Sequence, residues 1–146
     1  KEDVLIGGEE SGGIATKGHI PERDGIWMGL ILFEFMAKSG KSLDDLISEV
    51  YEIVGPFSFE RIDLHIDEDI KQSIVQNCKD GNYSSFGKYN VGRIETTDGF
   101  KFFFDDDTWL MIRASGTEPV LRTYAESSSQ EKCFDILEDT RKTLLG

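Results

Sequence analysis

Cysteine is scarce in this chain, and so is positive charge. Only Cys78 and Cys133 occur among 146 residues. They lie far apart and fit no metal-ligand spacing. Both fall among apolar helical positions, so buried free thiols are expected, which favours a reducing cytoplasm. Sixteen Lys and Arg face 28 Asp and Glu, for a formal net charge of −12. Such a chain is repelled by nucleic-acid backbones and anionic lipid, which argues against both as partners. An anionic small ligand has to be held by local donors acting against that overall field. Long apolar runs are missing too. The longest, residues 26–37, is too short to cross a bilayer and is interrupted by Glu34. No signal peptide is visible, and the opening KEDVLIGGEE, without an initiator Met, reads as the middle of a domain. The expectation is a fragment of a larger cytoplasmic protein.

What the chain does have is core-building material. Hydrophobic residues make up 38% and include ten Phe, which argues against global disorder. The apolar run at residues 4–6 stops at Gly7 and Gly8 and reads as the end of a buried strand. It opens into a long loop that reaches about Asp24. Asp24 is placed to cap a helix carrying Ile26, Trp27, Leu30, Ile31, Phe33, Phe35 and Met36. That helix is apolar nearly all round, so it is expected to be buried. Ser39 and Gly40 end it. Ser42 and Asp45 resemble a capping box for a second helix with an apolar stripe through Leu43, Leu46, Ile47, Val50, Tyr51 and Val54. Gly55-Pro56 then breaks the pattern, and a domain boundary is expected there.

Beyond the break, residues 57–66 alternate as a strand, with a phase slip that suggests a bulge near Glu60-Arg61. Asp67 begins a helix with an expected inner face of Ile70, Ile74, Val75 and Cys78. Residues 91–104 read as a hairpin turning at Asp98-Gly99. Residues 109–112 and 120–126 read as strands, and a final helix carries Cys133, Phe134, Leu137 and Leu144. The expected fold is α+β: a mostly antiparallel four-stranded sheet with two helices on one face, over residues 56–146. It is preceded, over residues 1–55, by the C-terminal piece of an α/β domain.

Two segments carry chemistry. In RASGTEPVLR, residues 113–122, Arg113 offers a guanidinium fork matched to phosphate. Ser115 and Thr117 add hydroxyls, and Gly116 permits a turn that can aim N–H groups at one point, an anion-binding nest. Arg122 follows on the next strand, on one face with Tyr124. The plain alternative is a hairpin loop with Arg113 in a surface ion pair. In GGEESGG, residues 7–13, Glu9, Glu10 and Ser11 suit vicinal sugar hydroxyls, and the alternative is a solvated acidic turn. His19 and Arg23 follow in KGHIPERDG; His19 is an acid/base group, a phosphate donor or an ordinary loop histidine. His65 reads as structural, and Asp105, Asp106 and Asp107 as a solvated loop rather than a metal site. Together the two main segments suggest a grip on a sugar phosphate at both ends.

GGEESGG, then GHIPERDG, then RASGTEPVLRTYAES resembles the α-D-phosphohexomutase family, the phosphoglucomutases and phosphomannomutases. The similarity spans essentially the whole chain. It implies the end of a sugar-binding third domain over residues 1–55 and a phosphate-binding fourth domain over residues 56–146. At matching positions it implies sugar contacts from Glu9 and Ser11, basic contacts from His19 and Arg23, and a phosphate loop of Arg113, Ser115, Gly116 and Thr117. The role of Arg122, adjacent to that motif, is an extrapolation. The family reaction moves a phosphoryl group between O1 and O6 of a hexose through a phosphoserine and a hexose 1,6-bisphosphate, assisted by Mg²⁺. Neither the nucleophilic serine nor an aspartate loop for Mg²⁺ is found in this chain. The fragment alone is therefore expected to be inactive, with the missing N-terminal domains of its parent as partners. A phosphoglucosamine or phosphopentose mutase of the same superfamily is the alternative within the fold. A non-catalytic binding module is the alternative outside enzymes.

Overall fold

The computed structural model describes residues 3–9 and 12–146. The chain divides into two compact units, one ending at Val54 and the other beginning at Gly55.

The first unit starts with a short antiparallel hairpin, β1 (Ile6–Gly8) against β2 (Ile14–Thr16). The strand thus begins where the apolar run at residues 4–6 ends and carries on through both glycines, and Val4, Leu5 and Ile6 are exposed rather than buried. Asp24 caps α1 (Gly25–Ser39) by accepting from the Trp27 N–H at 3.0 Å. Gly40 closes the helix in the left-handed region, its N–H donating to the Met36 carbonyl. The capping box of α2 (Leu43–Val54) also forms: Ser42 Oγ accepts from Asp45 N at 3.2 Å, and Asp45 Oδ2 accepts from Ser42 N at 2.9 Å. Burial is where this unit departs from expectation. No residue of α1 is buried, and Ile26 is 81% exposed. A helix apolar on all sides needs cover on all sides, and the described elements of this unit supply one small hairpin and one further helix.

The second unit is built on a five-stranded, fully antiparallel sheet: β3 (Ser58–His65), β9 (Val120–Ser127), β8 (Trp109–Ala114), β7 (Phe100–Phe103) and β6 (Arg93–Glu95), side by side in that order. The expected sheet had four strands; the fifth arises because the hairpin contributes both its arms, β6 as a three-residue edge. The expected bulge is absent. The register of β3 against β9 runs unbroken from Ser58↔Ser127 to His65↔Val120. The apolar phase slip has a different cause. Ile62 and Leu64 face the core, whereas Phe59 faces the opposite side, near Trp109 and Tyr124 with ring centroids 6.0 Å away in each case.

Helices α3 (Glu68–Lys79) and α4 (Gln130–Leu145) both cover one sheet face. Between helices and sheet lie Leu64, Ile74, Cys78, Phe102, Leu110, Ile112, Leu121, Ala125, Cys133, Ile136 and Leu137. A short hairpin, β4 (Ser85–Phe86) with β5 (Tyr89–Asn90), inserts fully buried Phe86 edge-on against Phe102, centroids 4.9 Å apart. Burying each such side chain contributes about 1.5–3 kcal/mol. Both cysteines are buried free thiols, and burial pushes the Cys78 thiol up to about 12. The helix faces correct two details. On α4 the inner positions are Cys133, Ile136, Leu137 and Thr140, with Phe134 turned outward. On α3 the inner positions are Lys71, Ile74 and Cys78, and Ile70 is exposed.

Candidate functional site

The glycine-rich turn of the first unit is closed by its own backbone. Glu9 N–H donates to the Gly13 carbonyl at 2.9 Å, and Gly12 N–H donates to the Glu9 carbonyl at 3.0 Å. Gly12 sits at φ +86°, a left-handed geometry that favours glycine. The Glu9 carboxylate meets the Arg23 guanidinium, which also bonds Glu22 through Nε at 3.2 Å. These two carboxylates, Glu9 first, raise the Arg23 pKa further. The Arg23 stem lies against Gly13, where an added Cβ would come within 2.8 Å of Arg23 Cδ. Glu9, Arg23, Gly7, Gly8 and Gly13 line an open concavity of about 200 Å³. The structure thus brings Glu9 and Arg23 together. Ser11 lies outside the described residues.

His19 is engaged elsewhere. Its Nε2 lies 2.8 Å from Asp24 Oδ2, and its ring stacks on Trp27 at 4.5 Å and 10°. Asp24 therefore caps α1 with one oxygen and holds the imidazole with the other. The Trp27 N–H bond, then His19, hold its carboxyl below the ordinary range. Trp27 in turn donates from Nε1 to Thr16 Oγ1 at 3.2 Å, tying helix and hairpin together.

In the second unit the loop at residues 115–119 joins β8 to β9. Arg113 and Arg122 are directly opposed across these strands, and Asp63 is opposed to Arg122 on the other side. All three therefore share the sheet face that no helix of this unit covers. Like charges placed directly opposite destabilise a sheet, so two arginines paired across the strands need counter-charge. Part of it is present. Arg113 Nε lies 3.4 Å from Asp98 Oδ1, an exposed pair of little energetic weight. Asp63 is gripped in a fork by Arg61 at 2.7 and 2.6 Å. That fork, followed by the charges of Arg122 and His65, holds the Asp63 carboxyl low. Arg122 Nε is buried and meets no partner among the described residues, and neither does the Tyr124 hydroxyl beside it.

The loop backbone is ordered by two side chains. Ser115 Oγ accepts from Thr117 N and Glu118 N at 3.5 and 3.3 Å, while Ser115 N donates to the Val120 carbonyl at 3.0 Å. From behind, Lys71 Nζ donates to the Ser115 and Glu118 carbonyls at 3.1 and 2.9 Å. The expected nest of several convergent N–H groups is thus reduced, because Ser115 Oγ takes two of them. Gly116 is not at positive φ, and nothing lies within 4 Å of the place its Cβ would occupy. What the glycine leaves is open space on the side where a side chain would stand. Arg113, Asp98, Gly99 and Lys79 border an open concavity of about 610 Å³ beside this loop.

Sequence reasoning missed Lys71, Asp63 and Asp24 as partners of these groups. Lys71 had a legible signal, since residues 71, 74 and 78 follow the inner-face spacing of a helix. Asp63 depends on cross-strand register, which a single strand does not reveal.

Both halves of the chain match models of one protein family. Residues 1–54 match the family model described as phosphoglucomutase/phosphomannomutase, alpha/beta/alpha domain III. Residues 64–143 match the one described as phosphoglucomutase/phosphomannomutase, C-terminal domain. The chain is 36% identical over 133 residues to a phosphoglucomutase/phosphomannomutase of Thermococcus kodakarensis, covering 91% of this chain and 27% of that protein. It is 28% identical over 144 residues to a probable phosphoglucosamine mutase of Methanobrevibacter smithii, covering 99% of this chain and 31% of that one. A crystal structure of a phosphoglucomutase/phosphomannomutase family protein from Burkholderia thailandensis shares the fold, with a TM-score of 0.65 at 21% identity, over 96% of this chain and 28% of that chain. The chain therefore spans less than a third of the length of these relatives.

Proposed function

The chain belongs to the phosphoglucomutase/phosphomannomutase family, and from that premise we propose that it is the substrate-binding C-terminal part of a phosphohexomutase. Residues 1–55 are the C-terminal part of the sugar-binding third domain, and residues 56–146 are the phosphate-binding fourth domain. The longer enzyme interconverts hexose 1-phosphate and hexose 6-phosphate in the cytoplasm. In it, Glu9, Ser11, His19 and Arg23 serve the sugar, and Arg113, Ser115, Gly116, Thr117 and Arg122 serve the phosphate.

One observation carries the phosphate assignment: Arg113 and Arg122 stand directly opposite across β8 and β9, and Arg122 Nε is buried with no hydrogen-bond partner among the described residues. A phosphate dianion accepts from two guanidinium groups and offsets their mutual repulsion. For the sugar assignment the Glu9 carboxylate is the natural acceptor. It is ion-paired with exposed Arg23, and both line the open concavity of about 200 Å³. His19, stacked on Trp27 and held by Asp24, serves the sugar indirectly, by bracing the start of α1.

The family reaction also calls for Mg²⁺, a phosphoserine and a hexose 1,6-bisphosphate. Among the described residues no group of three or more His, Cys, Asp and Glu could hold a metal ion. The residues present therefore do not fit the metal. Metal and nucleophile belong to the proposed remainder of the longer protein. A second reading, with an amino sugar phosphate as substrate, is favoured by relatives named phosphoglucosamine mutase.

The test is an amide NMR titration of this chain with glucose 1-phosphate, glucosamine 1-phosphate and inorganic phosphate. Saturable shifts at residues 113–117 are expected with all three ligands and are lost in Arg113→Ala, whose sheet signals stay in place. Wild-type shifts scattered over the surface without saturation would refute the phosphate site.

A further inference from the structure

Lys71 is a charged residue in a core position. It is 4% exposed, on the inner face of α3 between the sheet and the loop at residues 115–119. An ammonium there is costly unless each of its donors is used. All three are: Ser115 O at 3.1 Å, Glu118 O at 2.9 Å and Glu68 Oε2 at 2.8 Å. Two of these partners belong to one tight loop more than forty residues along the chain. A leucine at this position would bury as well without the desolvation cost, so core packing does not account for the lysine.

The geometry of the peptide unit does. Among the described residues no peptide bond is cis. In a trans unit the C=O of one residue and the N–H of the next point in opposite directions. Drawing the Ser115 carbonyl inward onto Lys71 therefore turns the Gly116 N–H outward, away from the core. The Ser115, Thr117 and Glu118 N–H groups are already taken by Val120 O and Ser115 Oγ. Among the described residues no acceptor meets the Gly116 N–H, and nothing lies within 4 Å of the place its Cβ would occupy. It is the loop's one uncommitted backbone donor, and Lys71 sets its direction.

We infer that Lys71 is the positioning residue of the phosphate loop: from the protein side it holds the Gly116 N–H aimed at the anion and places a positive charge behind it, without touching the ligand. The inference rests on the reading of residues 113–117 as the phosphate site. A lysine that only satisfied two carbonyls would leave affinity unchanged once the sheet was intact.

The test titrates inorganic phosphate into the wild-type chain, Lys71→Met and Lys71→Arg, observing amide resonances. The Gly116 N–H residual dipolar coupling is measured without ligand. Expected for Lys71→Met are unchanged β8 and β9 signals, an altered Gly116 coupling and phosphate affinity lowered about tenfold or more, the weight of a charge-assisted contact. Lys71→Arg should recover part of the affinity. In the wild type, the Lys71 ammonium resonance should move together with Gly116 as phosphate is added. That reading still decides the matter if Lys71→Met does not fold. Wild-type affinity and coupling in a folded Lys71→Met, or a stationary Lys71 resonance beside a moving Gly116, would overturn the positioning role and leave the phosphate site standing. No saturable response in the wild type would overturn the site reading, and this role with it.

Discussion

The two units draw on the same kind of apolar material and bury it to opposite degrees. In the second, α3 and α4 press Ile74, Cys78, Cys133, Ile136 and Leu137 onto a five-stranded sheet. In the first, α1 is richer in large apolar side chains than either, yet none of its residues is buried. A helix is stabilised mainly by what covers its apolar face, so α1 and α4 should respond differently to the same substitution. Their caps, by contrast, are equally complete, with Asp24 and Ser129 each receiving an N–H from three residues on. Local signals are satisfied in both units; tertiary cover is satisfied in one.

The largest expected effect sets core against exposed face. Ile136→Ala should destabilise the second unit by about 2–5 kcal/mol, whereas Ile26→Ala should change stability by less than about 0.5 kcal/mol. Denaturant titration reads each unit separately, because Trp27 and Trp109 are the only tryptophans and lie one in each. Equal losses at the two positions would dissolve the contrast. Next comes ligand response: Arg122→Ala should weaken inorganic phosphate about tenfold to a hundredfold by calorimetry, and Glu9→Gln should leave it unchanged. A phosphate response that depended on Glu9 would erase the division of labour between the units.

Smaller still is the cap. Ser129 Oγ accepts from Lys132 N at 3.2 Å, and Ser129→Ala should cost the second unit about 1 kcal/mol, visible as an earlier Trp109 transition with Trp27 unmoved. The smallest effect is electrostatic. The Arg141 fork, then Lys142, hold the exposed Glu138 carboxyl down at about 2, from an ordinary 4.5. Its folded pKa is depressed, so its contribution is present above pH 4.5 and lost as pH falls through about 2. The stability gap between wild type and Glu138→Gln should therefore close over that window. A gap that widened on acidification would contradict the assigned pairing.

Much of this was legible in the sequence, for reasons that can be located. Asp24, Gly40, and Ser42 with Asp45 are local devices, and each acts within a few residues of itself. The inner face of α4 follows from spacing. Burial of α1 was misjudged because hydrophobicity states a demand for cover and does not say whether the cover is present. The imagined bulge in β3 came from assuming that every apolar residue of a strand faces one core, whereas Phe59 serves the other face. For the candidate site, Arg113, Ser115 and Glu9 stand out by residue type and loop position. Asp63, Asp98 and Lys71 meet the site only through pairing register and helix rotation, which are set far away in sequence.

One feature of the sheet bears on how the chain behaves in company. Strand β3 is eight residues long and has a single neighbour, β9, in the sheet. Among the described residues of this unit no strand lies on its other flank, so a strand of another molecule could join there. Along it stand Glu60, Arg61, Asp63 and His65, so a second copy docking antiparallel or parallel would have to place charge against charge in most registers. The polar residues that interrupt β3 thus act as gatekeepers against aggregation. Replacing Arg61 and Asp63 together with valine would trade solubility for stickiness even if the fold were unchanged.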